Sequence, residues 1–197
     1  FRTLMTDGTP LQWQAAKKGY YIPASFAPRA PDGFILWGYA LAYRLTSDEA
    51  HWQMVRRLAQ RLSLGDVGTP QGNEQALNFG TASADWRCIY ALLELHQAKR
   101  DRQFLRLASR LADNLLRTQT ATGLFPQPGR PWARTGDEIP LALLHLAAAW
   151  AGKSEQMPAA IRDSRFFHCE YHGPLEDYQK KRDDKRTYDD LVYYGGR

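Results

Sequence analysis

The sequence predicts an all-α fold built from helical hairpins. Three observations carry that expectation. Apolar residues recur at helical spacing in paired stretches, the members of a pair are joined by two-residue turns, and the unit returns about every 50 residues.

The clearest unit is Asp32–Ser63. Asp32-Gly33 marks a helix start, and Phe34, Leu36, Trp37, Ala40, Leu41 and Leu45 form an apolar face. Thr46-Ser47 is the turn, with Ser47 expected to cap a second helix. Trp52, Val55, Leu58, Ala59 and Leu62 are that helix's buried stripe, and Arg56, Arg57 and Arg61 its wetter side. The unit returns at Ala84–Leu116 with a turn at Arg100-Asp101, and a third first helix is predicted at Asp137–Ala151. Phe34, Trp86 and Ile139 occupy matching positions in the three copies.

The expected organisation is one domain. It has a loop segment over 1–31, hairpins over about 32–63 and 84–117, a third inner helix over about 137–151 and an irregular segment over 164–197. Leu11–Gly19 reads as a short helix stopped by glycine, Gly152–Gln156 as a polar turn, and Pro158–Asp163 as another short helix. Connectors between hairpins, Leu64–Ser83 and Thr118–Gly136, run to about 20 residues, far beyond the usual helix–helix loop. Short turns are therefore expected at one end of the helix stack and long connectors at the other, where binding residues concentrate.

Hydrophobic residues make up 44% of the chain, enough for a real core. The net charge of +5 and pI near 9.3 favour an anionic partner. Nucleic acid is not the expected one, because Asp183, Asp184, Asp189 and Asp190 interrupt the most basic run, Lys180–Asp190. No apolar run approaches membrane-spanning length, so no membrane partner is expected. The chain opens on Phe1 without an initiator Met or a signal-peptide pattern, which predicts a piece of a longer protein. Cys88 lies among apolar helix residues and reads as a small core side chain.

Gly129–Glu138 sets Arg130 and Arg134 on either side of Trp132, just before a helix start. That is a clamp for a carboxylate and a sugar ring, or equally an aromatic plug with Asp137 as a cap. Lys18 and Tyr20 belong to a second basic-aromatic stretch. His168, Glu170 and His172 are the right ligand types for a transition metal, but their spacing matches no established metal motif. His51, His96 and His145 are single helix residues with no expected role. No phosphate-cradling loop, zinc spacing or nucleophile elbow is present. Residue spacing alone supports a helical toroid or solenoid with a basic-aromatic loop face.

Three stretches, GYYIPASFAPRAPDGFILWGYALAYRLTSD, GLFPQPGRPWARTGDEIPLALLHLAAAWAG and DSRFFHCEYHGPLEDYQKKRDDKRTYDD, resemble the C-terminal part of the family-two pectate lyases of enterobacteria. The resemblance implies a fragment of an (α/α) barrel of about seven hairpins. It implies β-elimination on polygalacturonate, giving 4,5-unsaturated oligogalacturonides, with a divalent transition metal, typically manganese, and an arginine base. The family's two-histidine, one-glutamate metal set and its base are expected upstream of this chain, so they are not carried onto His168, Glu170 or His172. Arg130, Arg134 and Lys18 would then meet uronate carboxylates, and Trp132 and Tyr20 the ring faces. A monomer in the periplasm is expected, with the cytoplasm as the alternative. Two other readings stay open. One is a different carbohydrate enzyme on the same toroid, an unsaturated-uronide hydrolase or sugar epimerase, using carboxylates such as Asp85 and Asp137. The other is a non-catalytic helical-repeat module that grips an anionic glycan or protein.

Overall fold

The computed structural model describes residue 9, residues 30–71, 74–126 and 138–157, and the backbone of 160–163 and 191–194. Within them the chain is all-α apart from two short antiparallel ribbons. No helix among the described residues is long and apolar enough to cross a membrane. The chain forms two compact units, Phe1–Asn114 and Leu115–Arg197.

The first unit holds the two complete hairpins, and both are built by one local rule. Helix α1 (Gly33–Thr46) ends at Ser47, whose left-handed φ of 57° lets its N–H reach Tyr43 O at 2.7 Å. Asp48 then caps α2 (Glu49–Arg61) by accepting from Ala50 N at 2.8 Å. The capping residue thus differs from the expected Ser47. Serine already serves as the left-handed stop, so the carboxylate one position later takes the cap. Helix α3 (Trp86–Lys99) ends in the same way at Arg100, with φ 56° and its N–H on His96 O at 2.7 Å. Asp101 then accepts from Gln103 N at 2.8 Å at the start of α4 (Arg102–Leu116). The lone histidines beside these turns are structural: His51 Nδ1 lies 3.0 Å from Thr46 Oγ1, and His96 Nδ1 lies 2.9 Å from Asp101 O.

Helix α1 packs against both α3 and α2. The core contains Leu36 and Ala40 from α1, Trp52, Val55, Leu58 and Ala59 from α2, and the run Cys88–Leu93 of α3. Burial raises the Cys88 thiol pKa far above its ordinary range, as befits an inert core side chain. Two members of the expected α1 face, Phe34 and Leu45, are instead exposed, on a side of the helix away from this core.

The connector after α2 does not stay at the end where it begins. It forms a ribbon of β1 (Gly65–Asp66) and β2 (Ala76–Leu77), paired Gly65 to Leu77 and Asp66 to Ala76. Its outward limb is pinned along α2. Arg56 grips Asp66 bidentately at 2.6 and 2.7 Å, and buried Trp52 donates from Nε1 to Gly68 O at 2.8 Å. Lys99 then donates to Pro70 O and Gln75 to Asp101, so the connector reaches the α3–α4 turn. The return limb descends to Thr81 and Ser83, whose carbonyls both accept from buried Asn114 at 2.9 Å. The long connector therefore serves both ends of the hairpin, contrary to the expected segregation of short turns from long loops.

In the second unit, α5 (Ile139–Trp150) starts at Glu138, which makes no side-chain cap, and buries Leu141, Ala142 and Leu146. A single 3-10 turn follows at Ser154–Gln156. Residues Ala160–Asp163 form strand β3 rather than the expected helix, paired antiparallel with β4 (Leu191–Tyr194) from Ala160–Tyr194 to Asp163–Leu191. The partner strand, rich in β-branched and aromatic residues, overrides the weak local helix signal.

Candidate functional site

Helices α1 and α3 begin side by side, and one carboxylate joins them. Asp85 accepts from Arg87 N at 3.0 Å through Oδ1, capping α3, and from Gly33 N at 2.9 Å through Oδ2, capping α1. Only glycine fits at position 33, because a Cβ there would lie 2.5 Å from Asp85 Oδ2. Asp32 adds its own cap by accepting from Ile35 N at 3.1 Å.

On this junction four rings and an arginine form a continuous series. Phe34, 48% exposed, meets Trp37 edge-on at 6.3 Å. Trp37 stacks on Tyr90 at 4.6 Å with 15° between planes, and Tyr90 meets Trp86 edge-on at 5.9 Å. The Arg87 guanidinium lies 4.9 Å over the Trp86 ring, with Nη1 3.6 Å from Asp85 Oδ1. Trp37 Nε1 and Arg87 Nε are buried and have no hydrogen-bond partner among the described residues. A partly exposed guanidinium beside the partly exposed rings of Trp37 and Trp86 and the exposed ring of Phe34, at the positive ends of two helices, suits an anionic sugar: charge for the carboxylate and apolar ring surface for the sugar.

The residues singled out in the sequence do not test this arrangement. Lys18, Tyr20, Arg130, Trp132 and Arg134 lie outside the described residues, as do Asp137 and the metal-type set His168, Glu170 and His172. Among the described residues no group of three or more His, Cys, Asp or Glu side chains is placed to hold a metal ion. In the sequence Phe34, Trp37 and Trp86 stand only as helix-face and repeat positions. The signal that points to them is the sequence Asp85-Trp86-Arg87 at a helix start, the same aromatic-arginine combination as around Trp132.

A family model described as periplasmic pectate lyase matches residues 1–170. The chain belongs to the periplasmic pectate lyase family. The match takes in both hairpins, α5 and the loops carrying Lys18, Tyr20, Arg130, Trp132 and Arg134, and it ends at Glu170, before His172. Pectate is thereby the substrate class, degradation of pectate the general function, and the periplasm the compartment that the family's description gives. In this member of the family the ring series and Arg87 form a part of the described surface whose chemistry matches such a substrate.

Proposed function

We propose that the protein acts on polygalacturonate by β-elimination, and that the shared start of α1 and α3 forms part of the wall that holds the chain of uronates. The observation that carries this reading is the Arg87 guanidinium set over Trp86 beside Trp37 and Tyr90. It offers a carboxylate partner and, on Trp86 and Trp37 with Tyr90 buried behind them, aromatic surface within one patch. Arg130, Trp132, Arg134, Lys18 and Tyr20 are proposed to add further subsites, in a monomer whose hairpins form part of an (α/α) toroid. In the reaction a base removes the proton at C5, the freed pair forms the C4–C5 double bond, and the C4–O bond breaks. The leaving oxygen then takes up a proton. The products are 4,5-unsaturated oligogalacturonides. A divalent metal, manganese by resemblance, belongs to the same proposal. The described residues provide no cluster for it, so no step is assigned to it on them.

The hydrolase alternative needs a carboxylate available for acid–base work at a helix mouth. Asp85, one of its candidates, has both oxygens engaged with helix N–H groups, which favours the lyase reading.

The test follows ultraviolet absorbance of the unsaturated uronide in polygalacturonate with manganese, using this chain and a longer protein containing it, against a chelator control. A chelator-sensitive rise is expected from the longer protein. No rise from either, with both folded and metal supplied, would sink the lyase reading. Arg87→Ala tests the wall: oligogalacturonate binding, read by tryptophan fluorescence, is expected to weaken about tenfold with loss of one charge-assisted contact. Unchanged affinity would remove Arg87 from the site.

A further inference from the structure

In the folded chain the two hairpins repeat at a spacing of 53 residues. Helices α1 and α3 are both 14 residues long, Gly33 answers to Trp86, and the left-handed stop at Ser47 answers to the one at Arg100. The buried stripe of α2, Trp52, Val55, Leu58 and Ala59, returns in α4 as Leu105, Ala108, Leu111 and Ala112. Asp32 and Asp85 are the matching N-caps. Phe34 therefore corresponds to Arg87, one place beyond the Trp86 that apolar periodicity matches to it.

Matching positions nevertheless differ in burial. Helix α3 turns one line of residues toward α1. A Cβ on Gly33 would lie 2.9 Å from the Cβ of Arg87, and Glu94 pairs with Arg44. Ala91 lies between them on that line and is fully buried, and Ala98 is the next residue along it. The same line on α1 carries Gly38, Leu41 and Leu45. It lies about a quarter-turn round the helix from Gly33, Trp37 and Arg44, which meet α3. There Gly38 is exposed, a Cβ built on it meets nothing within 4 Å, and Leu45 is 68% exposed. The caps differ in the same way. Asp85 serves its own helix and Gly33 N, whereas Asp32 accepts only from Ile35 N of its own helix among the described residues. Helix α1 thus carries a second copy of the surface by which α3 holds α1, with leucines in place of Glu94 and Ala98. Stacked repeats bury such a line only against a neighbour.

We propose that the Gly38–Leu41–Leu45 line, together with Asp32, is the docking surface for one more helix of this kind, from a hairpin that precedes α1 in the same polypeptide. The later helix, α3, is laid against the Gly33–Arg44 side of α1, so the uncovered line belongs to the hairpin before and not to the one after. The incoming helix starts on glycine, because Asp32 closes on its first N–H as Asp85 closes on Gly33. It presents an apolar residue where α1 presents Arg44, since a guanidinium buried against Leu41 would have no partner. The neighbour's place in the polypeptide rests on the toroid reading, whereas the surface itself and its contacts rest on the repeat and on none of the pectate chemistry.

The experiment measures maleimide labelling of Leu45→Cys, resolved by residue in the mass spectrum, in this chain and in a longer protein containing it. Asp113→Cys, on the exposed side of α4, is the control. In this chain both cysteines are expected to label at similar rates. In the longer protein Leu45→Cys is expected to label at least about tenfold more slowly, while the control keeps its rate. Adding Asp32→Ala should speed labelling at position 45 in the longer protein and leave this chain unchanged; no effect in the longer protein would overturn the shared carboxylate. Equal labelling of Leu45→Cys in both proteins overturns the docking surface, and chelator-sensitive lyase activity in the same sample would leave the pectate reading standing without it. Slow labelling already in this chain, with a dimer in gel filtration, would overturn the upstream hairpin in favour of a second copy. Protection in the longer protein without lyase activity supports the docking surface and counts against the pectate chemistry alone.

Discussion

At the N-terminal end of α3 one carboxylate serves two helix starts, whereas at its C-terminal end separate residues close the turn and hold the ribbon. Asp85 spends both oxygens on the starts of two helices, and the rings around it stack on one another. Around the α3–α4 turn, Arg100 stops α3 in a left-handed conformation, Asp101 caps α4 through Gln103 N and takes Gln75 of the ribbon, and Lys99 holds Pro70 O. The two ends of one helix thus differ in what a substitution should reveal. A change at Asp85 should disturb two helix starts at once, and a change at the α3–α4 turn only the local hold on the ribbon.

The largest expected effect breaks the junction. Gly33→Ala sets a methyl group against Asp85 Oδ2 and forces apart the two helix starts that this oxygen joins. The combined strain and lost cap should cost about 3 kcal/mol in urea unfolding. Asp85→Ala should cost about 2 kcal/mol by unpairing one N–H in each helix without adding bulk. A neutral Gly33→Ala would mean that α1 and α3 are not tied together here, and the contrast between the two ends would collapse.

A smaller effect separates the ribbon from the junction. Asp66 holds the ribbon to α2 through Arg56, and this hydrogen-bonded pairing, aided by Gly68 N–H, lowers its pKa below the usual carboxylate range. Because the folded value is lowered, the stabilisation is complete above the ordinary carboxylate pKa. It is lost as pH falls through the lowered folded value. Asp66→Asn should therefore be less stable than wild type at neutral pH, with the gap closing on acidification below pH of about 4. If the gap is the same at all pH values, the ion pair is not what pins the ribbon. The aromatic stacking signal of Trp37 and Tyr90 in near-ultraviolet circular dichroism should stay unchanged in the same variant.

Much of the architecture was legible because it is written locally. The apolar spacing of Trp52, Val55, Leu58 and Ala59 placed α2, and the two-residue turns placed both hairpins. The double role of Asp85 was not legible, since its second partner lies 52 residues away and a lone N-cap aspartate looks the same in sequence. The course of Leu64–Ser83 was hidden for a like reason. Its path depends on Trp52, Arg56, Lys99 and Asp101, each reading as an ordinary helix or turn residue until the chain is folded. Exposure of Phe34 and Leu45 also lay beyond periodicity, which identifies an apolar face but not whether a neighbour covers it. The strand at Ala160–Asp163 failed as a helix because its pairing partner begins at Leu191, far along the chain.

The smallest prediction examines how local the junction is. Gly38 lies five positions beyond Gly33 in α1, yet a Cβ built there meets nothing within 4 Å. Its cost is the glycine's own backbone freedom in a helix interior, so Gly38→Ala should stabilise the chain by about 0.5–1 kcal/mol. The opposite signs expected for two glycine-to-alanine changes in one helix isolate the cap from the helix itself. A destabilising Gly38→Ala would show that a neighbour covers the face bearing Phe34 and Leu45. The aromatic wall would then be partly closed, and Arg87 rather than Phe34 would define its accessible edge.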